Sequence, residues 1–157
     1  MSAKEMVIEI QKSGVIAFSA EACVGCGTCE LMCTLYHEGV GGRELSRIQI
    51  LRDPFEHEYQ ALICPQCLAP SCYAACLSTG DCIHFDEATG ARYIDEDACI
   101  LCEECIEACP FEPPRVRLLD GRKKVVKCDL CRGREAGPIC VEYCPVEALV
   151  YVPRDQA

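Results

Sequence analysis

Tryptophan is absent from the chain, and only four phenylalanines and six tyrosines occur among its 157 residues. A chain of this length normally builds its interior from more large apolar side chains, so something besides side-chain packing must fill the core. Long apolar runs are missing too. The longest are far too short to span a bilayer, so no direct membrane insertion is expected. The amino-terminal stretch MSAKEMVIEIQKSGVIAFSAEAC has no continuous apolar segment, no small-residue cleavage site and no twin arginine. The expected compartment is therefore the cytoplasm, although the chain could travel elsewhere bound to a signal-bearing partner. An excess of positive charge is lacking as well. The formal net charge is −10, which argues against a nucleic-acid partner.

What the chain has instead is cysteine, 17 in all. Disulfides and metal are the two common reasons for such a composition. Disulfides need an oxidising compartment, and an odd number fits poorly with full pairing, so metal is the expectation. Sixteen of the cysteines fall into four quartets. The first is Cys23, Cys26, Cys29 and Cys33. The second is Cys64, Cys67, Cys72 and Cys76. The third is Cys99, Cys102, Cys105 and Cys109, followed by Pro110. The fourth is Cys128, Cys131, Cys140 and Cys144, followed by Pro145. Cys82 is left over and reads as a small buried hydrophobe, not a ligand.

The C-x2-C-x2-C spacing lets three thiolates of one tight loop reach three corners of an iron–sulfur cubane. In two-cluster ferredoxins the fourth cysteine, three residues on, serves the other cluster; it is expected at the start of a short helix facing away. Gly25 and Gly27 suit such a loop. The rival is zinc, which usually draws two cysteine pairs from separate knuckles. Four [4Fe-4S] clusters are the expected cofactors. Haem attachment and radical chemistry lack their motifs, and GVGG at 39–42 reads as a turn. The three histidines, His37, His57 and His84, have no quartet left to complete and are expected at the surface or in loops.

The segments ACILCEECIEACPF (98–111) and KCDLCRGREAGPICVEYCPVEAL (127–149) resemble the iron–sulfur subunits of the dimethyl sulfoxide reductase family. That resemblance implies four clusters in one polyferredoxin chain. CTLYHEGVGGRELSRIQI (33–50) is most similar to the small polyferredoxin subunits that accompany tungsten aldehyde oxidoreductases, with those of benzoyl-CoA reductases next. Cys33 and Cys76 are followed by Thr34 and Leu77 where the family pattern has proline, and the eight-residue loop of the fourth quartet is short. These departures leave every ligand in place.

Between the second and third quartets, CIHF and ARYI alternate around DEATG, the strand–turn–strand linker of an ordinary two-cluster ferredoxin. The expected fold is α+β: an inner ferredoxin-like unit (61–111) nested in an outer one (1–60 with 112–157), with short helices and hairpins around the clusters. The resemblance implies the same nesting; sequential pairing of the first quartet with the second is the alternative. Nesting gives cluster A to Cys23, Cys26, Cys29 and Cys144, and cluster B to Cys128, Cys131, Cys140 and Cys33. It gives cluster C to Cys64, Cys67, Cys72 and Cys109, and cluster D to Cys99, Cys102, Cys105 and Cys76. Val24, Leu31, Ile63, Ile100, Ile106 and Ile139 are expected to shield them, and metal binding to supply the folding free energy. Arg115, Arg117, Arg122, Lys123, Lys124, Lys127, Arg132 and Arg134 crowd one stretch. They read as a solvated basic surface, or else a docking face for an acidic partner.

Four one-electron centres with no substrate pocket or hydride-cofactor signature suit conduction between distant sites. The expectation is an electron-transfer subunit without catalysis of its own. The resemblance implies a tungsten- or molybdenum-pterin catalytic subunit as partner, with a flavin/NAD subunit or a ferredoxin as acceptor. A hydrogenase or formate dehydrogenase subunit and a free polyferredoxin are the alternatives. A chain with two electron-accepting ends can also stack on copies of itself as an open filament.

Overall fold

A computed structural model describes residues 13–53, 55–78 and 82–156. The first twelve residues, most of the segment in which no export signal was read, lie outside the described residues, as do positions 79–81 of the inner linker. The described chain forms eight short strands in four antiparallel pairs, with four short helices between them. Among the described residues no helix is long and apolar enough to cross a membrane.

The strand pairs enclose one another. β1 (Val15–Phe18), ahead of the first quartet, pairs with β8 (Leu149–Val152), beyond the fourth, in the register Val15↔Val152 to Phe18↔Leu149. Between them, β2 (Gln49–Asp53) pairs with β3 (Glu58–Leu62), and β6 (Val116–Leu119) with β7 (Lys124–Lys127). At the centre, β4 (Ile83–Phe85) pairs with β5 (Arg92–Ile94). The DEATG turn forms as its residues dictate. The Asp86 carboxylate accepts from the Thr89 amide at 2.9 Å and the Thr89 hydroxyl at 2.6 Å, an Asx-type turn, and the Asp86 amide donates to the Ala91 carbonyl at 2.8 Å.

Helices α1 (Thr28–Glu38), α2 (Ser71–Ala75), α3 (Glu104–Glu107) and α4 (Ile139–Glu142) each begin within a cysteine quartet. α1 ends on Gly39 at φ 70, whose amide caps the Leu35 carbonyl. This is a left-handed stop that glycine takes without a Cβ penalty. α1 packs on α4, and α2 on α3.

Packing divides the interior into three. The first core gathers Cys29, Cys33, Ile48, Ile50, Cys140 and Leu149. The second gathers Cys76, Cys82, Ile83, Cys105, Val116 and Val125. Val116 and Val125 come from the β6–β7 hairpin, so that hairpin leans on the inner quartets although it follows residue 111. A third, smaller core joins the two: Cys64 of the second quartet packs with Cys128 of the fourth, alongside Ala91 and Leu130. Cysteine contributes to all three, in line with an interior short of aromatics.

Candidate metal centres

All four ligand loops share one backbone feature. The residue before the second cysteine takes a left-handed conformation: Gly25 (φ 65), Gln66 (φ 53), Leu101 (φ 57) and Leu130 (φ 57). In the first loop glycine does this freely. In the other three a side chain carries the strain, about 1–2 kcal/mol for each L-residue. Repeated strain of this kind marks a site held for function. It turns each loop so that its first three cysteines face one side.

Each quartet's third and fourth cysteines are one helical turn apart. Cys29, Cys72, Cys105 and Cys140 open or occupy their helices. Cys33 is one turn along α1, whereas Cys76, Cys109 and Cys144 lie at or just beyond helix ends. The expectation that the fourth cysteine begins a helix is therefore corrected: the third does. A rise of about 5.4 Å per turn then carries the fourth sulfur to a different neighbourhood.

The resulting neighbourhoods are specific. Cys23, Cys26, Cys29 and Cys144 line one cavity, about 320 Å³. Cys64, Cys67, Cys72 and Cys109 line a second, also about 320 Å³. Cys76, Cys99, Cys102 and Cys105 line a third of about 330 Å³, with Cys82 on its wall. The remaining four, Cys33, Cys128, Cys131 and Cys140, are all buried, and Cys33 lies close enough to push the thiols of the other three upward. Backbone amides approach several sulfurs: Arg47 N to Cys33 Sγ at 3.4 Å, Arg115 N to Cys109 Sγ at 3.2 Å, and Ala148 N to Cys144 Sγ at 3.2 Å. Such N–H donors favour the anionic sulfur.

The donor set is soft, and the space is apolar. Burial holds Cys29 and Cys105 up at about 12 and Cys131 at about 11, and raises Cys128 and Cys140 too. Cys26 is lowered instead, first by its contact with the Thr28 hydroxyl at 3.3 Å. Deprotonating so many buried thiols is costly unless a soft cation replaces the protons. A single zinc sits about 2.3 Å from each sulfur, and no room of 320 Å³ is then needed at the centre. The three cavities fit a cage of several atoms bonded through four corners.

Cys82 is 4% exposed, and its thiol faces the Asp95 carbonyl at 3.9 Å. Burial raises it strongly. It is the small buried residue expected, but its place on the cavity wall was not legible from its position between quartets.

Several expectations are corrected. Val24 (57% exposed), Leu31 and Ile100 (62%) do not shield from within. Val24 and Ile100 each follow the first cysteine of a loop and roof a cavity from outside. His37 is not a surface residue: it projects from α1, nearly buried, with Nε2 3.7 Å from Cys131 Sγ and 3.5 Å from Asp129 Oδ1. Burial, and then Arg47, lower it to about 4, so the imidazole is neutral and its approach to Asp129 is not an ion pair. His84 lies in β4 beside the Tyr93 ring, whereas His57 is exposed as expected.

The basic stretch is largely consumed internally, and is neither a solvated surface nor an open docking face. Lys124 pairs with buried Glu38 at 2.8 Å and with Glu96 at 3.0 Å. Arg117 donates to the Ser46 carbonyl, and Arg134 pairs with Glu142. Arg115 stacks on Phe111 and Arg132 on Tyr93. Lys127 is buried. Arg122 and Lys123 stay exposed at the hairpin tip, because the hairpin folds back between the two cysteine-rich cores.

Known proteins share these features. Residues 55–154 match the 4Fe-4S dicluster domain. The polyferredoxin-like subunit of aliphatic sulfonate oxidoreductase from Pyrococcus furiosus is 38% identical over 136 residues, covering 87% of this chain and 74% of the relative. An iron–sulfur relative within anaerobic dimethyl sulfoxide reductase from Escherichia coli is 34% identical over 149 residues, covering 85% and 70%. Among solved structures, the active-site complex BamBC of benzoyl coenzyme A reductase, as isolated, matches with a TM-score of 0.53 at 26% identity, over 90% of this chain and 77% of that one. Four strained cysteine loops, soft donors around cage-sized cavities and these matches place the chain in the 4Fe-4S dicluster family of iron–sulfur proteins.

Proposed function

We propose that the chain is the electron-transfer subunit of an oxidoreductase complex and holds four [4Fe-4S] clusters, with no catalysis of its own. Cluster A belongs to Cys23, Cys26, Cys29 and Cys144, and cluster B to Cys33, Cys128, Cys131 and Cys140. Cluster C belongs to Cys64, Cys67, Cys72 and Cys109, and cluster D to Cys76, Cys99, Cys102 and Cys105, with Cys82 outside the ligand set. The observation that carries this reading is the set of three like-sized cavities, each lined by three cysteines of one loop and a fourth from another motif. Each cluster, when bound, takes up and gives back one electron without bond breaking in a substrate.

Packing supports a linear order. α1 carries ligands of both A and B; α2 and α3 carry ligands of both C and D. The small third core joins B to C through Cys128 and Cys64. A and D are then the ends, and there the exposed apolar collars lie: Val24 and Val146 over A, Ile100 over D. Apolar rims of this kind suit partner contact. The nested division, outer 1–60 with 112–157 and inner 61–111, follows from the same pairing.

The partner at one end is a tungsten- or molybdenum-pterin catalytic subunit, of the aldehyde oxidoreductase type. A flavin/NAD subunit or a ferredoxin takes the electrons at the other, in the cytoplasm. Head-to-tail stacking of copies would join an A end to a D end. Anaerobic purification of the native complex tests this. The protein should be brown and carry about sixteen irons and sixteen sulfides, four of each per cluster, beside a partner containing tungsten or molybdenum. A colourless protein with stoichiometric zinc refutes the cluster reading; nickel in the partner refutes the pterin assignment alone.

A further inference from the structure

The junction between the two halves contains a buried cationic knot. Lys127 is 2% exposed and Arg92 is 1% exposed. Lys127 Nζ donates to the Cys128 carbonyl at 2.9 Å, to Gln66 Oε1 at 3.4 Å and to the Arg92 carbonyl. All three acceptors are neutral. Among the described residues no carboxylate lies within ion-pair distance of this ammonium. Arg92 extends its guanidinium to the Gln66 carbonyl at 3.1 Å and lies over the Phe85 ring. Gln66 ties the knot: it is the strained residue of the second ligand loop, its Nε2 donates to the Cys128 carbonyl at 2.7 Å, and its Oε1 accepts from the Arg92 amide at 2.9 Å.

A buried ammonium facing only dipoles is unfavourable unless negative charge stands nearby. That charge is on the side of the second quartet. Cys72 feels Lys127, and Arg92 feels Cys72, Cys64 and Cys67. On the other side of the junction Cys128 and Cys131 feel the Asp129 carboxylate instead, with Arg47 3.4 Å from that carboxylate and His37 beside it. The two faces of the junction therefore differ in charge.

We propose that Lys127 and Arg92 are buried counter-charges that raise the reduction potential of cluster C above that of cluster B, so that an electron crossing between the two halves rests on the inner one. The inference rests on the four-cluster reading. One electron added at Cys64, Cys67, Cys72 and Cys109 makes that site one unit more negative, with no proton required. The two cations stabilise the added charge across a medium of low dielectric. Gln66 positions both, which accounts for a glutamine, not a glycine, at a left-handed position of the loop.

The test is a redox titration of the full chain, prepared anaerobically and followed by paramagnetic resonance. The signal altered in Cys67→Ser identifies cluster C. Lys127→Gln should lower the reduction equilibrium of that signal at least about tenfold, which is about 59 mV for a one-electron couple. Arg92→Gln should act in the same direction, and Lys127→Arg should leave the signal near its wild-type position. The other three signals should move much less. Unchanged potentials in a Lys127→Gln protein with full iron overturn the proposal, as does an equal shift of all four signals. Loss of this site's iron in Lys127→Gln and Arg92→Gln, with full iron in Lys127→Arg, overturns it in favour of a purely structural charge. A wild-type protein well short of about sixteen irons overturns the four-cluster reading itself, before any variant is made.

Discussion

Gly25→Ala separates backbone strain from crowding in a ligand loop. Gly25 lies at φ 65, and a Cβ built there would stand 2.4 Å from Tyr59 Cε1 and 3.0 Å from both Cδ1 and Cζ. The ring cannot simply swing away, because Tyr59 packs on the core of Cys29, Cys33, Ile48 and Ile50. Gly39 provides the control, with φ 70 and nothing within 4 Å of the added carbon. Left-handed strain alone should make Gly39→Ala cost about 1–2 kcal/mol. Gly25→Ala adds an overpacking penalty of about 1–3 kcal/mol, so its total is about 2–5 kcal/mol. Gly27→Ala should fall between, since its Cβ would meet Arg52 Nη2 at 3.1 Å, the movable end of a side chain. Guanidinium titration of the anaerobic holoprotein measures the cost, and iron analysis locates it: Gly25→Ala should lose about four of about sixteen irons. Adding Tyr59→Leu should recover the crowding part but not the strain, as a double-mutant cycle reads it. Equal costs for Gly25→Ala and Gly39→Ala, or no recovery with Tyr59→Leu, would refute the argument.

Three further outcomes are expected. Cys82→Ala should keep all four clusters with a modest loss of stability, whereas Cys102→Ala should lose or damage one; a cluster's worth of iron missing from Cys82→Ala would make Cys82 a ligand. Glu103 and Glu104 are exposed, and Glu103 lines the cavity of Cys76, Cys99, Cys102 and Cys105, so Glu103→Gln with Glu104→Gln should raise that cluster's potential slightly, and less at high salt; a salt-independent result would contradict the electrostatic cause. The folded chain keeps His37 neutral down to about pH 4, while an unfolded chain protonates it near 6.5, so stability should fall as pH drops from 6.5 towards 4, by at most about 3 kcal/mol. His37→Gln should flatten that part of the curve, and parallel curves for the two proteins would rule His37 out as its source.

The cysteine spacings foretold the loops, and the alternating CIHF and ARYI foretold β4 and β5, because both signals are local. Gly25 and Gly27 announced unusual backbone in the first loop. Nothing local announced it at Gln66, Leu101 or Leu130, where the fold imposes a conformation those residues do not prefer. The roles of His37 and Lys127 were also hidden. His37 gains its meaning from Asp129 and Cys131, more than ninety positions away in sequence, and Lys127 sits in a basic run that reads as surface until its partners appear. Charge patterns indicate exposure only when the chain does not fold back over them, and the β6–β7 hairpin does fold back.

The enclosing order of the strand pairs also sets an order of assembly. β1 cannot pair until β8 exists, and the loop of Cys23, Cys26 and Cys29 meets Cys144 only when the chain is nearly finished. During synthesis, which proceeds from the amino terminus, the central hairpin and the second and third quartets are complete first. The inner half can therefore close while the outer half is still being made. The first cysteines to leave the ribosome are thus the last to be sealed, and they spend the longest time as free thiols open to oxygen. A nascent chain stalled after residue 127 is expected to bind iron at the inner quartets alone, and a delivery system that loads iron should act on the inner half before the outer.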